Sequence, residues 1–274
     1  MTTSGITSRN GSVSSPRISV ITATRNAAAT ISALHESLAR QTYRNFEWVV
    51  ADGVSSDSTV DLLRNFAAHS PWMRFFSEPD FGIYHALNKA IARAAGEYYV
   101  VAGADDLLDE NALSKYVEFA GGGAADVVLA RVVRDGRVIG GFHPRKAWIG
   151  TARVFAGSHS VGMLIRTALH GRFGFYSRRF PLLADVYFLK VLLRSGLVRF
   201  VDADFVAGTF AEGGLTTVNK LQILAENWQI QMLTERSPLL QTALFLGKVA
   251  TRYGAVRKEL DAARRARSGP ETQV

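Results

Sequence analysis

From Ile18 onward, short apolar runs alternate with polar clusters and with apolar residues at helical spacing. The run Ile18-Ser19-Val20-Ile21 predicts a buried strand that ends in the polar segment Thr22-Ala23-Thr24-Arg25-Asn26. Ile31, Leu34 and Leu38 then fall on one face of a helix of about three turns. The cycle repeats twice more, and a fourth strand follows. Phe46 to Val50 reads as a strand, Asp52 to Ser58 as a loop, and Val60, Leu63 and Phe66–Ala67 as the apolar face of a second helix. Met73 to Phe76 predicts a third strand, and Tyr84, Leu87 and Ile91 the inner face of a third helix. Tyr98 to Val101 makes a fourth strand, ending in Gly103-Ala104-Asp105-Asp106.

Strands and helices joined in this order by short loops are βαβ units, which build a mostly parallel sheet covered on both faces. Ligands of such sheets bind at the carboxyl ends of the strands. The polar clusters after the first, second and fourth strands are therefore expected along one edge. Beyond about residue 120 the pattern loosens. Gly121-Gly122-Gly123 reads as a flexible connector, followed by short strands at Val127–Leu129, Val132–Val133 and Arg137–Ile139. Leu182-Leu183, Val186, Leu189 and Leu193 mark a further helix with Asp185 near its start. Leu221 to Ala263 reads as one or two long helices broken at Pro238, and no internal repeat is visible.

Composition narrows the chemistry. A chain of 274 residues, 47% hydrophobic and 20% charged, can bury a sizeable core. It has no cysteine, which excludes disulfides, thiolate metal sites, iron–sulfur clusters and thiol catalysis. The formal net charge of +8 favours anionic partners such as nucleotide phosphates or an acidic membrane surface. Residues 1–16 form a polar, Ser/Thr/Gly-rich stretch expected to be a disordered tail, without the apolar segment of a signal peptide. No apolar run is long enough to span a membrane, so the expected location is cytoplasmic.

Asp105 and Asp106 are the first candidates for chemistry. A pair of aspartates in a loop is ordinarily a solvated turn, but at the end of a buried strand such carboxylates suit a hard divalent cation that bridges a diphosphate. Asp52 follows the second strand directly and points toward the same edge, where a carboxylate can accept from a base N–H or a ribose hydroxyl. Asp57 reads as a helix cap.

Together with the segment from Glu78 to Ala90, these residues resemble family 2 glycosyltransferases, inverting enzymes of GT-A fold that use nucleotide-diphosphate sugars. Ile18 to Asn26 is similar to the family's opening strand and nucleotide loop, and Gln41 to Gly53 to its second strand. Glu78 to Lys89 resembles the subgroup that builds bacterial exopolysaccharides, including the colanic-acid type. The resemblance implies an α/β GT-A-like fold with a mostly parallel central sheet, flanking helices and a helical C-terminal extension. Residues 17–120 would be the nucleotide-sugar half, 121–220 the acceptor half of the same domain, and 221–274 the extension. It implies a donor pocket of Thr22, Thr24, Asn26, Asp52, Asp80, Tyr84, Asn88, Lys89, Ala104 and Asp106, with Mn or Mg held by Asp105. Gly103 stands where the family commonly has the first aspartate of Asp-x-Asp, leaving one carboxylate for the metal.

For the acceptor side the resemblance points to Asp185 as general base, against the plainer reading of a charge favoured at a helix start. It also points to His159 for diphosphate or acceptor, and to the loop Phe210 to Thr217 near the ligand. The acceptor would be a saccharide or lipid-linked saccharide in cell-surface polysaccharide synthesis. The Gln-x-x-Arg-Trp motif and spanning helices of the processive members are absent, so addition of one sugar is expected. Near the C-terminus, Lys248, Arg252, Arg257, Lys258, Arg264, Arg265 and Arg267 outnumber Glu259, Asp261 and Glu271. Such a basic amphipathic stretch suits either an anionic membrane face or a solvated helix packed on the catalytic domain. A sugar-phosphate nucleotidyltransferase would need a Gly-rich phosphate loop after the first strand, yet no glycine lies between Ser14 and Gly53. A non-catalytic basic protein binding nucleic acid or membrane is the remaining class, and no nucleic-acid recognition motif is visible.

Overall fold

The structure is a computed structural model, and it describes residues 17–149, 154–155, 160–210, 220–251, 254 and 257. Strands β1 (Ile18–Thr24), β2 (Phe46–Asp52), β3 (Met73–Ser77) and β4 (Tyr98–Val101) alternate with helices α1 (Ile31–Ala39), α2 (Thr59–His69) and α3 (Ile83–Arg93). There follow β5 (Leu107–Leu108), α4 (Ala112–Ala120), β6 (Val127–Arg134), β7 (Arg137–Ile139) and β8 (Met163–Arg166). The chain continues through α5 (Leu169–Phe173), α6 (Ala184–Ser195), β9 (Phe200–Thr209), α7 (Lys220–Thr234) and α8 (Pro238–Thr251).

All the described strands join one sheet in the order β3-β2-β1-β4-β8-β6-β9-β5, with β7 paired to β6. β1 runs parallel to β2 and β4, and β2 to β3. β8 is antiparallel to both β4 and β6, while β6 and β9 are parallel. The sheet is thus mostly parallel, with β8, β5 and β7 reversed, and it continues unbroken from the first half of the sequence into the second. Alternation along the strands sorts two cores. Val20, Trp48, Val50, Tyr98 and Val100 face α1, α2 and α4, whereas Ile21, Val49, Ala51 and Tyr99 face α3, α5 and α6.

One expectation is corrected in the second half. Val127–Leu129 and Val132–Val133 belong to one continuous strand, because Ala130 is buried among its neighbours and Arg131 forms an ion pair with Asp202 of adjacent β9. Pro238 separates two helices, as expected. It opens α8, where its missing N–H is no loss, after a short turn following α7. α4 and β9 were not announced by the hydrophobic pattern. In β9, Asp202 and Asp204 point outward while Ala203 and Ala207 are buried, so small and charged residues mask the alternation.

Candidate active site

The parallel register brings the strand ends together: Thr24 is paired with Asp52, and Asp52 with Ser77. Asp52 is 1% exposed, and one carboxylate oxygen accepts from the Ser55 amide at 3.0 Å and the Ser77 hydroxyl at 2.6 Å. The Ser55 hydroxyl binds the other oxygen at 2.5 Å. Ser55 and Ser77, which sequence reading passed over, therefore hold this carboxylate at the edge. The Thr24 hydroxyl beside it is buried with no hydrogen-bond partner among the described residues. An orphaned hydroxyl at a strand end is an unmet binding capacity, since burial without a partner costs about 1–3 kcal/mol.

Asp80 reaches the same place from the loop before α3. One of its oxygens accepts from the Gly82 amide at 2.8 Å, and the other lies 2.4 Å from where a Cβ on Gly53 would stand. A side chain on Gly53 would push this carboxylate aside, whereas Gly82, at φ 107°, is required by backbone conformation. Asn26, also left-handed at φ 54°, accepts from the Ser56 amide at 2.8 Å and donates its own amide to Ser55 Oγ at 2.8 Å. It pins the loop after β1 to the loop after β2. Asp57 accepts from the amides of Thr59 and Ala28, and its hydrogen bonds hold its carboxyl below the usual range.

Three other expected donor-pocket residues are spent on the protein itself. Thr22 is fully buried and accepts from the Trp48 indole at 2.9 Å, on the face of the sheet covered by α1 and α2. Asn88 donates to the Tyr176 carbonyl at 2.8 Å and accepts from the Tyr176 amide at 3.0 Å, which uses both ends of its amide. Lys89 donates to the Pro79 carbonyl at 2.9 Å and pairs with Glu78 at 3.0 Å, bracing the loop that carries Asp80.

After β4 the two aspartates separate in role. Asp106 is 1% exposed and accepts from the Gly103 amide at 2.7 Å, closing the turn around Ala104. Asp105 is exposed, and its carboxylate makes no hydrogen bond or ion pair among the described residues. No cluster of three or more His, Asp or Glu able to enclose a metal occurs among the described residues. One free carboxylate at a strand end nevertheless suits Mn or Mg, which take one or two protein carboxylates and complete their shells with phosphate oxygens and water.

Asp185, expected as the base, lies in the first turn of α6 and is half-buried. The Tyr84 hydroxyl approaches it at 2.6 Å and also lies 3.1 Å from the Leu182 carbonyl. Burial pushes the Asp185 carboxyl above the ordinary range, while the hydrogen bond from Tyr84 pulls the other way. Burial, together with the neighbouring Asp185 charge, pushes the Tyr84 phenol well up, so it remains a donor. Glu226 of α7 accepts from the amides of Leu182 at 3.1 Å and Leu183 at 2.9 Å, fixing the turn into α6. Below it, the His170 Nδ1 lies 3.0 Å from the Gly174 carbonyl, which can only accept, so Nδ1 carries the proton. Nε2 then accepts from Tyr99, and Tyr99 from Tyr176, each at 2.8 Å. His159 and the glycine pair Gly213-Gly214 lie outside the described residues.

This convergence at the strand ends agrees with comparison to known proteins. Residues 19–181 match the model of the family described as glycosyl transferase family 2. The chain belongs to that family. Among curated relatives, it is 36% identical over 111 residues to a PGL/p-HBAD biosynthesis glycosyltransferase of Mycobacterium bovis, covering 40% of this chain and 43% of that protein. It is 31% identical over 108 residues to EpsE of Bacillus subtilis, named as a glycosyltransferase, covering 39% of each. The matched stretch thus spans less than half the length of these relatives. Mannosyltransferase PcManGT from Pyrobaculum calidifontis, solved with GDP-Man and Mn2+, superposes with a TM-score of 0.64 at 20% identity, covering 94% of this chain and 77% of that one. S. aureus TarS 1-349 with UDP-GlcNAc gives 0.63 at 18% identity, covering 87% and 73%. These likenesses establish the GT-A-type fold of this family 2 chain.

Proposed function

We propose that this family 2 chain is an inverting glycosyltransferase that moves one sugar from a nucleotide-diphosphate donor to a saccharide or lipid-linked saccharide acceptor in cell-surface polysaccharide synthesis. The observation that carries this reading is the loop into α3. Within five residues it sets Asp80 over Gly53 at the end of β2 and presents Tyr84 to Asp185. A nucleotide-binding edge and a carboxylate of raised proton affinity thereby share one wall.

In this reading Thr24, Asp52 and Asp80 line the nucleotide side. Asp105 would hold Mn or Mg against the diphosphate, and such a cation neutralises charge on a departing phosphate oxygen when bound. Asp185 takes the proton of the acceptor hydroxyl as that oxygen attacks the anomeric carbon. The bond from that carbon to the diphosphate oxygen breaks on the opposite side, so configuration inverts and the nucleoside diphosphate leaves. UDP-GlcNAc and GDP-mannose are the first donors to try, since TarS and PcManGT were solved with them.

Asp185→Asn removes the base but not the donor contacts. Donor binding, read as a rise in melting temperature with nucleotide sugar and Mn2+, should persist while transfer falls by about 10²-fold or more. Full transfer by the variant would overturn the assignment. We further propose that the enzyme works at an anionic membrane face, with α8 as the contact. In support, Leu239, Leu240, Ala243, Leu246 and Ala250 all lie exposed on that helix, and the basic residues follow. No helix among the described residues is long and apolar enough to cross a membrane.

A further inference from the structure

We propose that Tyr84 is the positioning residue of the Asp185 base: its hydroxyl holds one carboxylate oxygen in place and follows the base through its change of charge. The inference rests on the reading of Asp185 as base, but it concerns a different atom and is tested separately.

The geometry is specific. Tyr84 and Asn88 stand one turn apart on α3, so both side chains leave the helix on one face. Both reach into the segment that leads to α6: Asn88 clasps the backbone of Tyr176, and Tyr84 meets the Leu182 carbonyl and Asp185. The Tyr84 ring packs edge-on against Tyr176, with centroids 5.5 Å apart, so the phenol cannot swing freely. From the opposite side Glu226 grips the amides of Leu182 and Leu183. The base is therefore set by contacts from α3 and α7, not by its own helix alone.

A tyrosine hydroxyl has one proton and, here, two acceptors. At 2.6 Å the carboxylate is the nearer, and a charged acceptor makes the stronger bond. Once Asp185 has taken the acceptor's proton, that advantage is gone, and the same O–H can turn to the Leu182 carbonyl 3.1 Å away. The Tyr84 oxygen is then the acceptor beside the new carboxyl O–H, so each donor of this pair has a partner in both states. The groups facing Asp185 are Tyr84 from α3, Tyr99 from β4, Tyr176 from the preceding segment and Glu226 from α7. Of these, Tyr84 supplies the side-chain hydrogen bond that favours the ionised carboxyl.

The test is a titration of the carboxyl by difference infrared spectroscopy on the full chain without substrate, with Asp185→Asn identifying the band. In Tyr84→Phe the midpoint should move up by about one pH unit, because a bond to the charged form is lost. In parallel, nucleoside diphosphate release from UDP-GlcNAc or GDP-mannose should show kcat reduced at least several-fold near the old midpoint, with donor KM unchanged. An unmoved midpoint in a folded Tyr84→Phe protein would overturn the proposal, even if the variant melts earlier, since a merely structural tether lowers melting temperature without shifting the titration. Should Tyr84→Phe fail to fold, Tyr84→Leu, which likewise lacks the hydroxyl, replaces it: the midpoint should again move up, and an unmoved midpoint would likewise reject the idea. Full transfer by Asp185→Asn, by contrast, would remove the base reading itself, whatever the titration shows.

Discussion

Adjacent aspartates take opposite parts at the end of β4. Asp106 is buried and shapes the turn, whereas Asp105 is exposed and unpaired among the described residues. Asp105→Asn should therefore abolish Mn2+-dependent donor turnover while changing stability by no more than about 0.5 kcal/mol, as for other surface changes. A Mn2+ titration of turnover and a denaturant melt on one preparation check both halves. His170 gives a pH dependence instead. Burial lowers its pKa from the ordinary 6.5, and the neutral ring, with Nδ1 toward the Gly174 carbonyl, can accept from Tyr99 through Nε2. The unfolded chain therefore binds this proton at higher pH than the folded one, and stability rises with pH through that window. Melting temperature should fall as the solution is acidified below pH 6.5, and the slope should be shallower in His170→Gln. A slope unchanged in the variant would assign the effect to other groups, His35 among them, whose pKa burial also lowers.

At the scale of elements, α3 is a two-sided brace. Tyr84 and Asn88 hold the segment before α6, while Lys89 and Arg93 pair with Glu78 in the loop that carries Asp80. The proposed donor and acceptor walls are thereby tied to the same helix. The α6 start depends equally on α7: Leu182 and Leu183 have their amides satisfied by Glu226, which is 4% exposed. Glu226→Ala leaves two amides without that acceptor and should destabilise the fold by about 2–4 kcal/mol, from the usual cost of unsatisfied buried groups. Because the displaced turn carries Asp185, kcat should fall more than donor affinity does. Chemical denaturation gives the first quantity, and steady-state kinetics beside donor-induced melting shifts gives the second. A parallel tie lies deeper, where fully buried Lys190 of α6 bonds Gln231 of α7 and pairs with Glu235.

Over the whole molecule, one sheet carries both halves, and α8 is laid on its α7 side with an unusual orientation. The residue α8 buries is Gln241, bonded to the Trp148 carbonyl at 3.0 Å, while Leu239 is 86% and Leu246 60% exposed. If this face meets lipid, Leu239→Asn with Leu246→Asn should release the protein from anionic vesicles without lowering its melting temperature. Neutralising Arg264, Arg265 and Arg267 should do part of the same, each basic residue contributing on the order of 1 kcal/mol near an anionic surface. Co-sedimentation with phosphatidylglycerol vesicles checks this, and salt should weaken binding over a Debye length of about 8 Å at physiological ionic strength. Unchanged sedimentation of the leucine variant would reject the membrane contact. The order of strands and helices up to Val101, the common edge of the polar loops, and the place of Asp185 at a helix start were all legible in the sequence, because period and chain order alone set them. Contacts between distant residues were not. Nothing in Tyr84-x-x-x-Asn88 says that its partners lie 88 to 101 residues away, or that Thr22 turns to Trp48. Nor does a leucine at helical spacing say which side of its helix meets the protein. Periodicity describes how a segment divides its own faces; only the packed chain decides what each face touches, because hydrogen-bond partners and burial are properties of neighbours in space.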